Sequence, residues 1–332
     1  MKYRRLGCTD LEVSTVCMGC WSISTKDFFW DGQAREDSIR AIHGSLEAGV
    51  NFFDTAPAYG NGESEEILGE ALQGRRAKCV VATKVPPGDL EPAKLRASCE
   101  ASLRALQTDY VDLYQVHWPN PGVPWEATWG ALAQLQAEGK IRAAGVSNFG
   151  VSYLEQLPHR GRAETNQLPY SLLWRAVEYE ILPWCRAHAT GLLCYSPLAQ
   201  GLLTGKFRAP QEVPDKRART RLFSARRPLT RHGEPGCQDE AFAAIDALRA
   251  IAAEVGQALS RVAVAWLLHQ PGVAAVVAGA RDARQAADNA QAAEVELDDA
   301  VTRRLAEATE TVKQIIGANA DPWEHVSRME RP

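Results

Sequence analysis

Four residues between positions 54 and 117 have the types and spacing for proton transfer to oxygen. Asp54 and Tyr59 lie in Asn51-Phe52-Phe53-Asp54-Thr55-Ala56-Pro57-Ala58-Tyr59-Gly60, Lys84 closes Ala82-Thr83-Lys84, and His117 stands in Gln115-Val116-His117-Trp118. An isolated phenol titrates near ~10 and is a reluctant acid at neutral pH. A lysine ammonium beside it favours the phenolate and lowers that pKa. An aspartate beside the lysine keeps it charged and oriented, and a histidine holds the substrate oxygen or relays its proton. The four together suit acid–base work on a carbonyl or an alcohol. Singly, each has a plainer reading: Asp54 as a helix cap, Lys84 in an ion pair, His117 as a satisfied core histidine.

Chemistry of this kind needs the four side chains on one rim. Short apolar runs recur at Thr15–Gly19, Val50–Asp54, Cys79–Lys84, Val111–His117, Ile141–Asn148, Ala163–Leu168, Gly191–Ser196 and Val273–Ala278. Runs apolar on both faces suit parallel strands covered by helices. Between them, Leu95, Cys99, Leu103 and Leu106 share a helical face, as do Trp125, Trp129, Leu132 and Leu135, and Phe242, Ile245, Leu248, Ile251 and Val255. Ser260 reads as the N-cap of a helix ended by Pro271. Eight strands alternating with helices predict an α/β fold, a (β/α)8 TIM barrel forming one domain over 1–332, whose strand C-termini gather catalytic groups. Tyr3–Leu6 and Leu11–Ser14 predict an N-terminal β-hairpin closing the barrel's bottom. After the seventh strand, 206–232 lacks any period and carries nine Lys/Arg against two acids. A long loop of this kind is either a solvated insertion or a lid over an anionic ligand.

Composition narrows the classes. The chain has 332 residues, 45% apolar and 23% charged, with 37 basic and 41 acidic side chains for a net charge of −4. That balance argues against a nucleic-acid binder and against collagen, coiled coil, disorder or a small disulfide scaffold. No apolar run reaches the roughly 18 residues of a membrane span, and the N-terminus lacks a signal peptide's apolar core. A cytoplasmic protein with no membrane partner is expected. The eight cysteines read as buried reduced thiols, and Cys17-Met-Gly-Cys20 has no second pair to complete a metal site.

Several strings carry a family resemblance: Val50–Gly60 (VNFFDTAPAYG), Ala82-Thr83-Lys84, Gln115-Val116-His117-Trp118-Pro119 and Gly145-Val146-Ser147-Asn148-Phe149. Their order and spacing, from Tyr3 through Asn289, resemble the aldo-keto reductases. The resemblance implies a catalytic tetrad of Asp54, Tyr59, Lys84 and His117 and a nicotinamide cofactor, NADP(H) with NAD(H) as the alternative, bound without a Rossmann domain. In keeping with that, Gly60-Asn-Gly62-Glu-Ser-Glu65 does not match G-x-G-x-x-G. It further implies that Ser147, Asn148 and Gln167 bond the nicotinamide carboxamide and that Tyr195 stacks on its ring. Ser196, Leu198, Gly201 and Lys206 would cradle the pyrophosphate, and Trp21 would face cofactor or substrate. Gly279, Arg281, Gln285 and Asn289 would surround the adenosine 2′-phosphate at a helix start. Trp30, Tyr59, His117, Trp118 and the C-terminal Trp323 are candidates for the substrate site. Two departures stand out: Ala278 where the family usually has proline, and Gln285 where many members have a basic residue.

The implied activity is reversible hydride transfer between NADP(H) and a small aldehyde, ketone or sugar, with Tyr59 as general acid and base. The alternatives are a nicotinamide-binding regulatory subunit or redox sensor, like the potassium-channel β subunits, and an NAD(P)-dependent sugar or polyol dehydrogenase. The branch resembled is that of sugar- and inositol-linked reductases. The expected partner is a small carbonyl or sugar substrate, and the oligomeric state is left open.

Overall fold

The computed structural model describes residues 1–26, 29–158 and 162–330. Ten strands occur among them: β1 (Tyr3–Arg5), β2 (Glu12–Ser14), β3 (Val16–Gly19), β4 (Phe52–Asp54), β5 (Val80–Val85), β6 (Val111–Val116), β7 (Ile141–Ser147), β8 (Thr165–Pro169), β9 (Gly191–Tyr195) and β10 (Val273–Gly279). Strands β3 to β10 close into a parallel barrel, β10 pairing with both β3 and β9. The predicted strands are all present, their ends shifted by no more than two residues. Around them lie α1 (Arg35–Glu47), α2 (Glu63–Ala71), α3 (Pro92–Ala105), α4 (Trp125–Ala137), α5 (Val151–Leu154), α6 (Ile181–Ala187), α7 (Gln238–Glu254), α8 (Leu259–Leu268), α9 (Ala283–Gln291), α10 (Asp299–Glu307) and α11 (Glu310–Ile316). The fold is the (β/α)8 barrel. No single helix among the described residues is long and apolar enough to cross a membrane.

Strand period sorts the core into two layers. On β4, Phe52 packs inside the barrel and Phe53 outside, under the helices. Leu113 and Tyr114 divide the same way on β6, as do Leu193 and Leu192 on β9. The interior is plugged from below by the antiparallel β1–β2 hairpin, whose flanking Leu6, Leu11 and Val13 join Phe52, Val80, Leu113 and Leu193. One step of two further up their strands lie Asp54, Gln115 and Tyr195, and two such steps above Val80 lies Lys84. The period that makes the barrel floor apolar therefore also turns these polar ends inward.

Two expectations change. Ser260 is not a cap: α8 begins at Leu259, one residue earlier, and Ala258 flanks it without a side-chain bond. The start is held instead by burial, since Leu259, Val262, Ala263 and Trp266 all face the core. The segment 206–232 is no solvated insertion. Ala218, Leu222 and Phe223 are buried, as are Arg219 and Arg221. Arg221 forks to Glu234 and donates to the Ile316 and Asn319 carbonyls, pinning the segment to the C-terminal region. All eight cysteines are free thiols, seven of them buried; Cys8 is exposed, contrary to expectation, because it lies in the hairpin turn.

Candidate active site

The centre is built around the fully buried Lys84. Its ammonium donates to Asp54 Oδ1 at 2.7 Å, to the Thr55 carbonyl at 2.8 Å and to Tyr59 Oη at 3.2 Å. An ammonium has three protons, and these three bonds use them all. Since Tyr59 Oη accepts from Lys84, its own hydroxyl proton is left for another acceptor. Asp54 Oδ2 accepts from Gln167 Nε2 at 2.8 Å and from Gln115 Nε2 at 3.2 Å. The sequence motif alone assigns Gln115 no role; its parity with Leu113 on β6 is the signal that turns it inward. His117 stands edge-on to the Tyr59 ring, the centroids 5.9 Å apart. Tyr59 and His117 are both half-buried, so neither is fully sealed from solvent.

Electrostatics assigns protonation states. Burial, the largest influence on Tyr59, raises its pKa; Lys84 lowers it, but the net direction is up. The expected dominance of Lys84 is thus reversed, because the ring's desolvation outweighs one neighbouring cation and Asp54 opposes that cation. Tyr59 is therefore a protonated donor at neutral pH. For Lys84 burial pulls down, yet Asp54 and Tyr59 together bring the net shift up, so it stays an ammonium. Burial, helped by Lys84, pushes His117 down to about 3. The imidazole is neutral and can offer one N–H to a substrate oxygen.

The residues expected to hold a carboxamide form one network. Ser147 Oγ donates to the Gln167 carbonyl, and Asn148 Nδ2 donates to Ser147 Oγ and to the His117 carbonyl, all at 3.0 Å. Tyr195 Oη donates to Asn148 Oδ1 at 3.0 Å. Gln167 Nε2 is committed to Asp54 and its backbone carbonyl to Ser147 and Asn148, so the side-chain Oε1 is the atom left for a ligand. After β9 the chain turns through left-handed Ser196, Ala199, Gln200 and Gly201, with Leu198 among them. A Cβ on Gly201 would lie 3.3 Å from Lys206 Nζ. Burial first, then Arg217 and Arg281, lower the Lys206 pKa. The loop thus brings two cations of the basic segment to Arg281, beyond β10. Arg281 donates to Gln33 Oε1 and the Gly32 carbonyl. Asp282 caps α9 by accepting the Gln285 N–H at 2.7 Å, and also accepts from Gln285 Nε2. Asn289 Nδ2 donates to the Gly279 carbonyl. The first turn of α9 is thus already capped by a carboxylate, while Lys206 feels the charges of Arg217 and Arg281.

Aromatic rings wall the mouth. Trp21 stacks on Tyr59 at 5.9 Å, and Trp30 meets Trp21 edge-on at 5.6 Å. Arg217 lies over Trp30 at 3.7 Å, and Arg219 over Phe29 and Trp323 at 3.6 and 4.6 Å. The basic segment is therefore a lid on these rings. Trp118 carries Arg328 at 4.0 Å. A cavity of about 400 Å³ also opens at the hairpin end, between Thr9, Trp129, Gln136 and Arg142. None of the four acid–base residues lines it. Among the described residues, no three His, Cys, Asp or Glu side chains are grouped to hold a metal ion.

The model of the aldo/keto reductase family matches residues 15–310. The chain belongs to that family. It is similar to an aldo-keto reductase, YhdN, of Bacillus subtilis (strain 168), 35% identical over 85% of each chain. It is also similar to the NADH-specific methylglyoxal reductase of Escherichia coli (strain K12), 32% identical over 93% of this chain and the whole of that one. Among solved structures, the glycerol dehydrogenase of Gluconobacter oxydans superposes with a TM-score of 0.80 at 31% identity, covering 93% and 95%. An aldo/keto reductase of Klebsiella pneumoniae, in complex with NADP and acetate, gives 0.72 at 29% identity, covering 92% and 94%. This aldo-keto reductase is accordingly an oxidoreductase of carbonyls and alcohols.

Proposed function

We propose that this aldo-keto reductase reduces a small aldehyde, ketone or sugar, and oxidises the corresponding alcohol, with NADP(H) and with Tyr59 as the proton donor and acceptor. One observation carries the reading: Lys84 commits all three protons, one of them to Tyr59 Oη, so the phenol proton is left for a substrate oxygen beside neutral His117. A bound nicotinamide would supply or accept the hydride. Tyr59 gives its proton to the carbonyl oxygen, and Lys84 steadies the phenolate that forms. His117 donates an N–H to the same oxygen and supports its developing charge. Asp54, gripped by Gln115 and Gln167, keeps Lys84 in place.

The donor set fits a nicotinamide dinucleotide. Ser147, Asn148 and Gln167 Oε1 would hold the carboxamide, Tyr195 would take the ring, and residues 196–206 with Arg217 and Arg281 would receive the phosphates. The NADP complex of the Klebsiella relative supports this cofactor, and the NADH-specific E. coli relative supports NAD(H) as the alternative. The aromatic walls of Trp21, Trp30 and Trp118 suit a small organic carbonyl, and the Gluconobacter relative supports polyol oxidation at the same residues. The test is Tyr59→Phe, which keeps the ring but not the proton. Carbonyl reduction should fall about 10²–10⁴-fold while NADPH still quenches tryptophan fluorescence. A Phe variant turning over at the parent rate overturns the assignment.

A further inference from the structure

The last described residues fold back onto the segment that follows Ser147 and Asn148. Met329 is fully buried, and its carbonyl accepts the Gly150 N–H at 2.6 Å. The Glu330 carboxylate accepts the N–H groups of Val151 and Ser152, each at 3.1 Å, and the Ser152 hydroxyl. Just upstream, Arg328 forks to the buried Asp321 at 2.7 and 3.0 Å while lying over Trp118. The tail therefore grips the loops after β6 and β7 at once.

Asn148 is a residue that needs such a grip. Its φ of 63° is left-handed, a conformation that persists away from glycine only where neighbours over-determine it. Its side chain ties the His117 carbonyl to the Tyr195 hydroxyl, so its placement sets both walls of the site. Only Phe149 separates it from the gripped residues. Gly150 shows that the tail is built in. A Cβ there would stand 1.6 Å from Glu330 Oε1 and 2.6 Å from the Met329 carbonyl oxygen, although its own φ of −83° is open to any residue. The tail, and not the backbone, requires glycine at this position.

We infer that Glu330 is a positioning residue for the nicotinamide half of the dinucleotide site, holding residues 150–152 so that Ser147 and Asn148 meet the carboxamide. The inference rests on the proposed reading of those two residues. It is tested by titrating the whole chain calorimetrically with NADP+ and with 2′-phospho-ADP-ribose, the same molecule without its nicotinamide. Glu330→Ala removes a charged acceptor of three bonds and should weaken NADP+ about tenfold, with the fragment changed less than about twofold. Glu330→Gln, whose amide oxygen still accepts, should fall between. Gly150→Ala expels the same carboxylate, so adding Glu330→Ala to it should weaken binding no further than Gly150→Ala alone. Equal losses for NADP+ and the fragment, or no loss for either, overturn the inference. Ser147→Ala and Asn148→Ala separate the two levels. If they leave the NADP+-to-fragment ratio unchanged, the carboxamide reading fails. If they shift it and Glu330→Ala does not, the tail inference alone fails.

Discussion

Replacing Lys84 with methionine keeps the length of the side chain and removes its charge and all three donated bonds. Asp54, just 2% exposed, is then a buried carboxylate without its cation. Breaking a buried pair in this way typically costs about 3–5 kcal/mol. Gln115 and Gln167 still donate to Asp54 Oδ2, which places the expected loss at the lower end, about 3 kcal/mol. At roughly 2 °C per kcal/mol for a chain of this size, the melting temperature should fall by about 6 °C. The sign of the pH dependence follows from the raised Lys84 pKa. The pair's contribution is complete below the unfolded lysine value near ~10.4 and is lost as pH rises through the folded value, so at neutral pH the whole loss is felt. Turnover should drop about 10²–10⁴-fold, because Tyr59 loses the bond that aims its proton. Calorimetric melts and NADPH-consumption kinetics on Lys84→Met, Asp54→Asn and their combination separate the two effects. The double variant buries no unpaired charge and should recover most of the lost stability but none of the activity. Activity of Lys84→Met within tenfold of the parent, or a double variant less stable than Lys84→Met, would refute this account.

The reduction rate, measured as kcat/KM, should stay flat from about pH 6 to 8, since Tyr59 is raised and His117 is held at about 3; a limb near pH 6.5 that disappears in His117→Asn contradicts this. Stability should fall as pH drops from about 6.5 through 3, the window in which His117 charges in the unfolded chain but not in the folded one, and acid melts of His117→Asn should show a shallower decline. Arg281→Ala should weaken NADPH by roughly 10- to 100-fold and NADH far less. Equal losses in a fluorescence titration of both would show that Arg281 does not meet a 2′-phosphate.

Much of this enzyme is written locally. Runs such as Gly191–Tyr195 and Val273–Gly279 are apolar on both faces and bounded by turn residues, so barrel strands and their ends are legible without a fold in hand. The same period of two places Asp54 and Lys84 inward, and chain order puts Tyr59 and His117 after β4 and β6, on either side of the strand that carries Lys84. What the sequence does not carry is the sum of contributions that meet only when the barrel closes. Whether burial or Lys84 prevails on Tyr59 depends on how much protein surrounds the ring, a quantity with no local signature. Gln115 reaches Asp54 across 61 positions, and Glu330 reaches Val151 across 179. The basic segment reads as charge in the sequence, yet its arginines lie on rings from both ends of the chain, Phe29 and Trp323. Periodicity is a property of neighbours and survives in the string. Desolvation and long-range pairing are properties of the packed volume, and tertiary structure alone decides them.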